Sequence, residues 1–495
     1  MAETEASISD KSKVYRVGTL TYTWRSLAIL FIWLLWGDFC YILMENVVPT
    51  VMPVKFTALG APNTVVGLIM ITIPMIINTV LNPIISFKSD RFRSRWGRRI
   101  PFIVMTLPFL VMSLAGLGFS ERIASWLQVH FTTWLGRFSP NTVALVVIGT
   151  MMVLFSFFNT FVNAVFWYLF NDVVPEHLLA RFMSWFRVVS TGATSLYSFF
   201  IFKYADRHSS EIMTGAALLY LVGFSLMCFN VKEGKYPPPD EYVGGEVGVV
   251  AAAKTFSKEC LGLAHYWYMF LIGLCMAATY VVTPFYLFYY QAIGLNLEMI
   301  GKVYAAGGIA TGLAILVSGW LADRYHPIRV VIAGILMNIF IVGPAGLVFL
   351  FWKPSPSMAF YVMLAQTIAL SAPANALMGI LDPPLFMRIF PRDRYGQFCS
   401  ANAMLRSGSA IVSGLLIGVF FDTLKACCGP RTAYCCLPIW LTLFYSLMMI
   451  FMYKLYRSWK RYGGDESYVP PLPQTTSSLT NVAVLVPATE AEPGV

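Results

Sequence analysis

At 495 residues, 57% hydrophobic and only 12% charged, the chain carries more apolar surface than a soluble fold of its length can hide, which excludes the soluble classes. A net charge of +10 does not mark a nucleic-acid binder here, because the cations crowd at the ends of apolar runs and do not follow one face. The runs are continuous and helix-length, which disfavours a β-barrel and predicts an all-α polytopic membrane protein.

Residues 1–25 read as a polar, cytoplasmic N-terminal tail, expected to be disordered over 1–24. The first apolar run begins near Leu27 and is too long for a cleaved signal, so it is expected to stay as a helix. Membrane-length segments fall at about 26–52, 63–87, 101–119, 141–168, 182–204 and 212–230. A second set falls at about 263–291, 296–322, 330–352, 358–386, 396–421 and 434–456, for about twelve helices. The predicted halves are 26–230 and 263–456, joined by a charged, Pro/Gly-rich cytoplasmic linker at 231–262. Residues 457–495 read as a disordered cytoplasmic tail.

The second segment ends in Lys88, Asp90, Arg91, Arg93, Arg95, Arg98 and Arg99, a basic loop ahead of Pro101. With both termini inside, roughly 24 Lys/Arg fall on the cytoplasmic side and roughly 9 outside, a bias that sets orientation. The chain is thus read as an integral protein of the cell membrane. Cys427, Cys428, Cys435 and Cys436 then lie outside, where disulfides can form. Adjacent cysteines without a histidine make a poor tetrahedral zinc set.

Internal repeats link the halves. Ala58-Leu-Gly60 with Gly67 recurs as Ala292-Ile-Gly294 with Gly301, and Ser89-Asp90-Arg91 as Ala322-Asp323-Arg324. Leu169-Phe170, Pro175, Phe182 and Ser184 recur as Leu385-Phe386, Pro391, Phe398 and Ser400. Duplicated six-helix halves are the architecture of a major facilitator transporter, with its site at the midplane between them.

Ionisable groups within spans cost about 2.5–3.5 kcal/mol at a helix centre, so each calls for a reason. In helix 1, Asp38 and Glu45 share a face with Leu34 and Tyr41. Asp38 is read either as a structural partner of an internal arginine or as a working carboxylate, and Glu45 as a cavity group or an interface residue. Helix 5 carries a polar stripe of Ser184, Arg187, Thr191, Thr194 and Ser198, and helix 11 one of Asn402, Arg406, Ser409 and Ser413. Such stripes line cavities or serve as interhelical glue. Helix 4 presents Ser156, Asn159, Asn163 and Trp167 at helical spacing. Amides that both donate and accept, beside a flat ring, suit a sugar, although a Trp also suits a membrane interface. Tyr280, Thr283, Tyr286 and Tyr290 in helix 7, and Asn375 and Asp382 in helix 10, are secondary candidates. No phosphate loop, nucleophile elbow or metal spacing occurs, so neither enzyme chemistry nor a cofactor is expected.

The loop Ser89-Asp90-Arg91-x-Arg93-Ser94-Arg95-Trp96-Gly97-Arg98-Arg99-x-Pro101-Phe102-Ile103 resembles that of the glycoside-pentoside-hexuronide cation symporters, and sucrose transporters have a similar one. Trp36-Gly37-Asp38-Phe39 resembles that family's helix 1 motif. The resemblance implies a sugar or glycoside carrier. It matches Asp38 to the acid that binds sugar hydroxyls, Arg187 to a sugar-contacting arginine, Trp167 to the sugar-stacking tryptophan and Arg406 to a helix 11 lysine that supports cation coupling. Asn78 and Asn82 stand where sodium-coupled members have two acids, and Asn163 replaces a third. Amides supply no charge to hold a cation. Coupling to H+ through Asp38 or Glu45, or no coupling, is therefore expected ahead of Na+. The expected substrate site is Asp38, Tyr41, Asn159, Asn163, Trp167, Arg187 and Thr191, with Asp38, Glu45, Asn78, Asn82 and Arg406 as coupling positions. Asp90, Arg91, Arg95, Arg98, Asp323, Arg324 and Arg329 are read as gating residues that pair with helix ends when the carrier faces outward. Membrane lipid is the other expected partner. The rival readings are a carrier of amphipathic lysolipids or drugs, and a non-transporting receptor or scaffold.

Overall fold

The computed structural model describes residues 15–234, 262–382, 384–391 and 395–471. Twelve long helical segments run through them. The first six are α1 (Trp24–Ala58), α2 (63–91), α3 (Ile100–Gly118), α4 (Pro140–Val173), α5 (176–204) and α6 (Ser209–Asn230). The second six are α7 (Ala264–Ala292), α8 (Leu297–Tyr325), α9 (Pro327–Phe351), α10 (Pro356–Met378), α11 (Tyr395–Cys428) and α12 (Pro430–Arg461). Eleven are long and apolar enough to span a membrane; α5 is not among them, because Arg181, Arg187 and its hydroxyl stripe lower its hydropathy.

Within each half the helices pack as neighbours, α3 on α4 and α6, α1 on α5 and α6, α7 on α11 and α12, and α8 on α10. Prolines bend the helices that line the interior: Pro49 and Pro53 in α1, Pro83 in α2. Single π turns at Leu68–Thr72 in α2 and Tyr197–Ile201 in α5 widen the backbone where the halves touch.

Two expectations change. The segment expected to be disordered carries a β-hairpin, β1 (Tyr15–Val17) on β2 (Leu20–Tyr22), turned at Gly18 with φ +54°. Beyond α12 the chain to Pro471 is tied down: Tyr468 Oη donates to Ile389 O at 2.9 Å, and Tyr266 Oη donates to Pro471 O. Most of the expected linker, 235–261, lies outside the described residues, as do 1–14 and 472–495.

Candidate functional site

A cavity of about 430 Å3 opens among α1, α2 and α4. Helical spacing puts Asn78 and Asn82 on one face of α2, and Ser156, Asn159, Asn163 and Trp167 on one face of α4, all lining it. Glu45 enters from α1, and Thr160 and Tyr168 complete the polar wall. Met70, Met75, Met152 and Phe155 supply apolar surface. Glu45 Oε1 accepts from Tyr41 Oη at 3.0 Å and from Asn159 Nδ2 at 2.6 Å. Glu45 is thus held from two sides, and the Asn159 carbonyl oxygen has no hydrogen-bond partner among the described residues. Trp167 stays 41% exposed, its ring braced by Phe186 of α5 at 5.1 Å. Among the described residues no lysine, arginine or histidine lines the cavity.

The expected site is therefore split. Asn159, Asn163 and Trp167 come together with Glu45, Asn78 and Asn82; Asp38, Tyr41, Arg187, Thr191 and Arg406 are not in the lining. Asp38 is fully buried: its Oδ2 accepts from Ser190 Oγ at 2.8 Å and its Oδ1 has no partner. Tyr41 is a buried support for Glu45, its Oη donating to Glu45 Oε1. Arg187 is exposed and makes no ion pair with Asp38. Thr191 faces α8 at Gly312, and Thr194 accepts from Asn46 Nδ2 at 3.1 Å, so part of the α5 stripe is interhelical glue. In the second half Arg406 Nη1 donates to Asp382 Oδ1 at 2.6 Å, neutralising that acid.

The halves meet at the end away from the basic loops, α2 on α11 and α5 on α8. A Cβ on Gly67 would strike the carbonyl oxygen of Gly414, and one on Gly301 would strike that of Ser198. These two repeat glycines let backbone approach backbone. Sequence reading found both but had no signal for their partners. It missed the clamp beside them entirely. Asp422 Oδ1 accepts from Asn63 N and Nδ2, each at 2.9 Å, and its Oδ2 accepts from Thr64 N at 2.8 Å and Thr64 Oγ1 at 2.6 Å. Tyr434 Oη donates to Asn63 Oδ1 at 2.9 Å.

Residues 34–414 match the profile described as Major Facilitator Superfamily. The chain belongs to the major facilitator superfamily. No curated protein matches it by sequence. Among solved structures it is similar to the nucleoside transporter NupG at TM-score 0.62 and 11% identity, over 86% of this chain and 100% of that one. A bacterial homologue of the human lysosomal transporter Spinster, in an inward-facing unoccupied state, aligns at TM-score 0.61 and 11% identity over 87% and 98%. A D-xylose-proton symporter aligns at TM-score 0.58 and 14% identity over 84% and 96%. At these identities the likeness concerns the fold.

This major facilitator protein is an integral membrane transporter, and its gating candidates hold each half to itself. Arg98 and Arg99 both reach Asp172 at the end of α4, Arg98 Nε at 2.9 Å and Arg99 Nε at 3.0 Å. Arg388 stands 4.0 Å from Asp323, and Arg329 pairs with Asp465. Arg324 stacks over Trp320 and Tyr325. Arg91 and Arg95 are exposed, and the Asp90 side chain lies outside the described residues. Cys427, Cys428, Cys435 and Cys436, for which the sequence left a disulfide open, are free thiols, the first two exposed and the last two buried. Among the described residues no three His, Cys, Asp or Glu side chains gather to hold a metal.

Proposed function

We propose that this transporter carries a neutral, hydroxyl-rich small molecule of the sugar or glycoside class by alternating access, with Glu45 as the group that links transport to H+. The cavity lining carries the reading: four amides, one carboxylate, hydroxyls and an exposed tryptophan ring around about 430 Å3. Amides and a carboxylate give hydroxyls paired donors and acceptors, and the Trp167 face suits the C–H face of a sugar ring. A lining without cations offers nothing to a carboxylate or phosphate on the substrate. The many polar groups also weigh against a lysolipid or drug carrier, which would call for a wide apolar portal.

Glu45 fits the coupling role better than Asp38 because it stands in the cavity, where a proton and a substrate hydroxyl can compete for the same carboxylate. Asp38, sealed behind α5, becomes a support for the α1–α5 packing. In this reading the membrane is the cell membrane, both termini are cytoplasmic, and the cavity opens inward while the clamp at Asp422 seals the outside.

Uptake of a labelled sugar panel into proteoliposomes, with and without an imposed pH gradient, tests this. At least one sugar is expected to show saturable uptake that the gradient accelerates. Glu45→Gln is expected to abolish the acceleration and to weaken affinity roughly 10- to 100-fold, the range for losing hydrogen bonds to a charged group. Failure of every sugar, or indifference of uptake to both Glu45→Gln and Trp167→Ala, would overturn the proposal.

A further inference from the structure

The basic loop builds a second site, unrelated to the transport cavity. Ser94 and Gly97 close a tight turn, Ser94 N donating to Gly97 O at 3.1 Å and Gly97 N to Ser94 O at 3.2 Å. Gly97 has φ +102°, and a Cβ there would collide with Glu233. The turn therefore seats against the end of α6 and presents Arg95 and Trp96 at its tip. Between them and α6 lies a cleft of about 350 Å3, walled by Ile100, Val104, Cys228, Phe229 and Val231, with Lys232 at its rim.

Its chemistry changes with depth. Arg95 and Lys232 are exposed at the top and have no acidic partner among the described residues. Glu233, the one acid in the wall, is engaged: its carboxylate accepts from Arg98 N at 2.9 Å, Arg99 N at 2.9 Å and Ile100 N at 2.7 Å, capping α3. Further along the two helices, exposed apolar side chains follow, Met105 and Met112 of α3 and Val222 of α6, with Phe229 in the cleft wall itself. Trp96 is 58% exposed and Phe229 74%, large rings at the level where the membrane-spanning helices begin and end.

We infer that this cleft binds the headgroup of an anionic glycerophospholipid, the phosphate between Arg95 and Lys232 and the acyl chains along α3 and α6. Two unpaired cations beside a cleft walled by Ile100, Val104, Phe229 and Val231 match a ligand that is anionic at one end and apolar at the other. A soluble anion would leave the Phe229 and Val104 wall unused. The cation distribution also assigns this face to the cytoplasmic leaflet, where anionic lipids concentrate.

The test is native mass spectrometry of the purified full-length protein, given equal phosphatidylglycerol and phosphatidylcholine of the same acyl chains. Preferential retention of phosphatidylglycerol is expected. Arg95→Gln with Lys232→Gln should weaken that retention about 25-fold, at about fivefold per cation near the membrane surface. Lys302→Gln, on the opposite face, should leave it unchanged, and Arg95→Lys should keep most of it. Both cations are exposed, so monodispersity on gel filtration confirms that the variants fold, and Phe229→Ala serves as an independent variant that should weaken retention of both lipids. Equal retention of the two lipids, or no effect of the double substitution, overturns the inference. Displacement of bound lipid by excess inorganic phosphate alone would make this a free-phosphate site and overturn it too.

Discussion

The α2–α11 and α5–α8 contacts are copies of one another in the repeat, yet they close by different means. Gly67 rests on the carbonyl of Gly414 and Gly301 on that of Ser198, so the backbone approach is shared. The acid beyond it is shared as well, Asp422 in one copy and Asp206 in the other. Only Asp422 reaches across. The reason lies one residue before each partner helix. α2 begins after Pro62, which has no side-chain acceptor, and so its first N–H groups are capped from the opposite half. α8 begins after Asn296, whose own Oδ1 accepts from Met299 N at 2.9 Å. Asp206, with nothing to cap, is exposed and takes its own neighbour's Arg207 N–H. One capping residue decides which contact carries the acid clamp; the other has, beside its packing, the hydrogen bond that Ser195 Oγ donates to Ala305 O at 3.5 Å.

The same contrast recurs at the basic-loop end. At matching repeat positions stand Asp172 and Arg388, so the sign of the charge is reversed between the halves. Asp172 binds two arginines in a largely buried network, whereas Arg388 and Asp323 sit 4.0 Å apart with Asp323 almost fully exposed. Asp172→Asn should therefore produce the largest effect, about 3 kcal/mol of destabilisation, because it strands buried guanidinium charge. Asp323→Asn should cost well under about 1 kcal/mol. Thermal unfolding of the two variants in detergent measures both, and equal losses would remove the contrast.

Next in size are the glycines. Gly67→Leu and Gly301→Leu should each cost about 1–3 kcal/mol in the closed arrangement and shift the population toward separation at this end. Distances between spin labels on α2 and α11, and on α5 and α8, report it. Because the backbone contact is common to both copies, the two effects should be similar.

The clamp comes third and distinguishes the copies most sharply. Asp422→Asn should favour separation by about 1.5 kcal/mol, the value of hydrogen bonds to a charged acceptor, while Asp206→Asn should have no measurable effect. Adding Pro62→Asn, which lets α2 cap itself as α8 does, should recover much of the loss. Absence of any rescue would show that Asp422 acts through something other than helix capping.

The smallest expected effect concerns pH. His326, between α8 and α9, has φ +68°, accepts from Ile328 N through Nδ1 and packs on Trp459 at 4.6 Å. Burial, reinforced by Arg388 and Arg329 and opposed by Asp465, pushes its imidazole from 6.5 down to about 4. A depressed histidine is neutral in both states above pH 6.5 and costs stability only where the unfolded chain protonates first. Stability should fall as the pH drops from 6.5 toward 4, and His326→Gln should flatten that slope in a thermal-shift titration.

Local periodicity made much of the cavity legible. Asn78 with Asn82, and Asn159 with Asn163 and Trp167, are neighbours on their helix faces wherever those helices pack. The ranking of the two acids was not legible. Asp38 and Glu45 lie seven residues apart on the same face of α1 and look alike in sequence. Contact with Ser190 of α5 seals one, and the gap between α2 and α4 leaves the other open.

By itself, the sequence determined the membrane class, the helix count and the duplicated halves, because apolar length and repeated motifs are local properties that bilayer thickness reads directly. Tertiary structure alone decided which acid meets the cavity, that Arg406 pairs with Asp382, and that Asp422 caps a helix 359 residues away in the chain. Those outcomes depend on desolvation and on donors brought from other helices, which no single helix encodes.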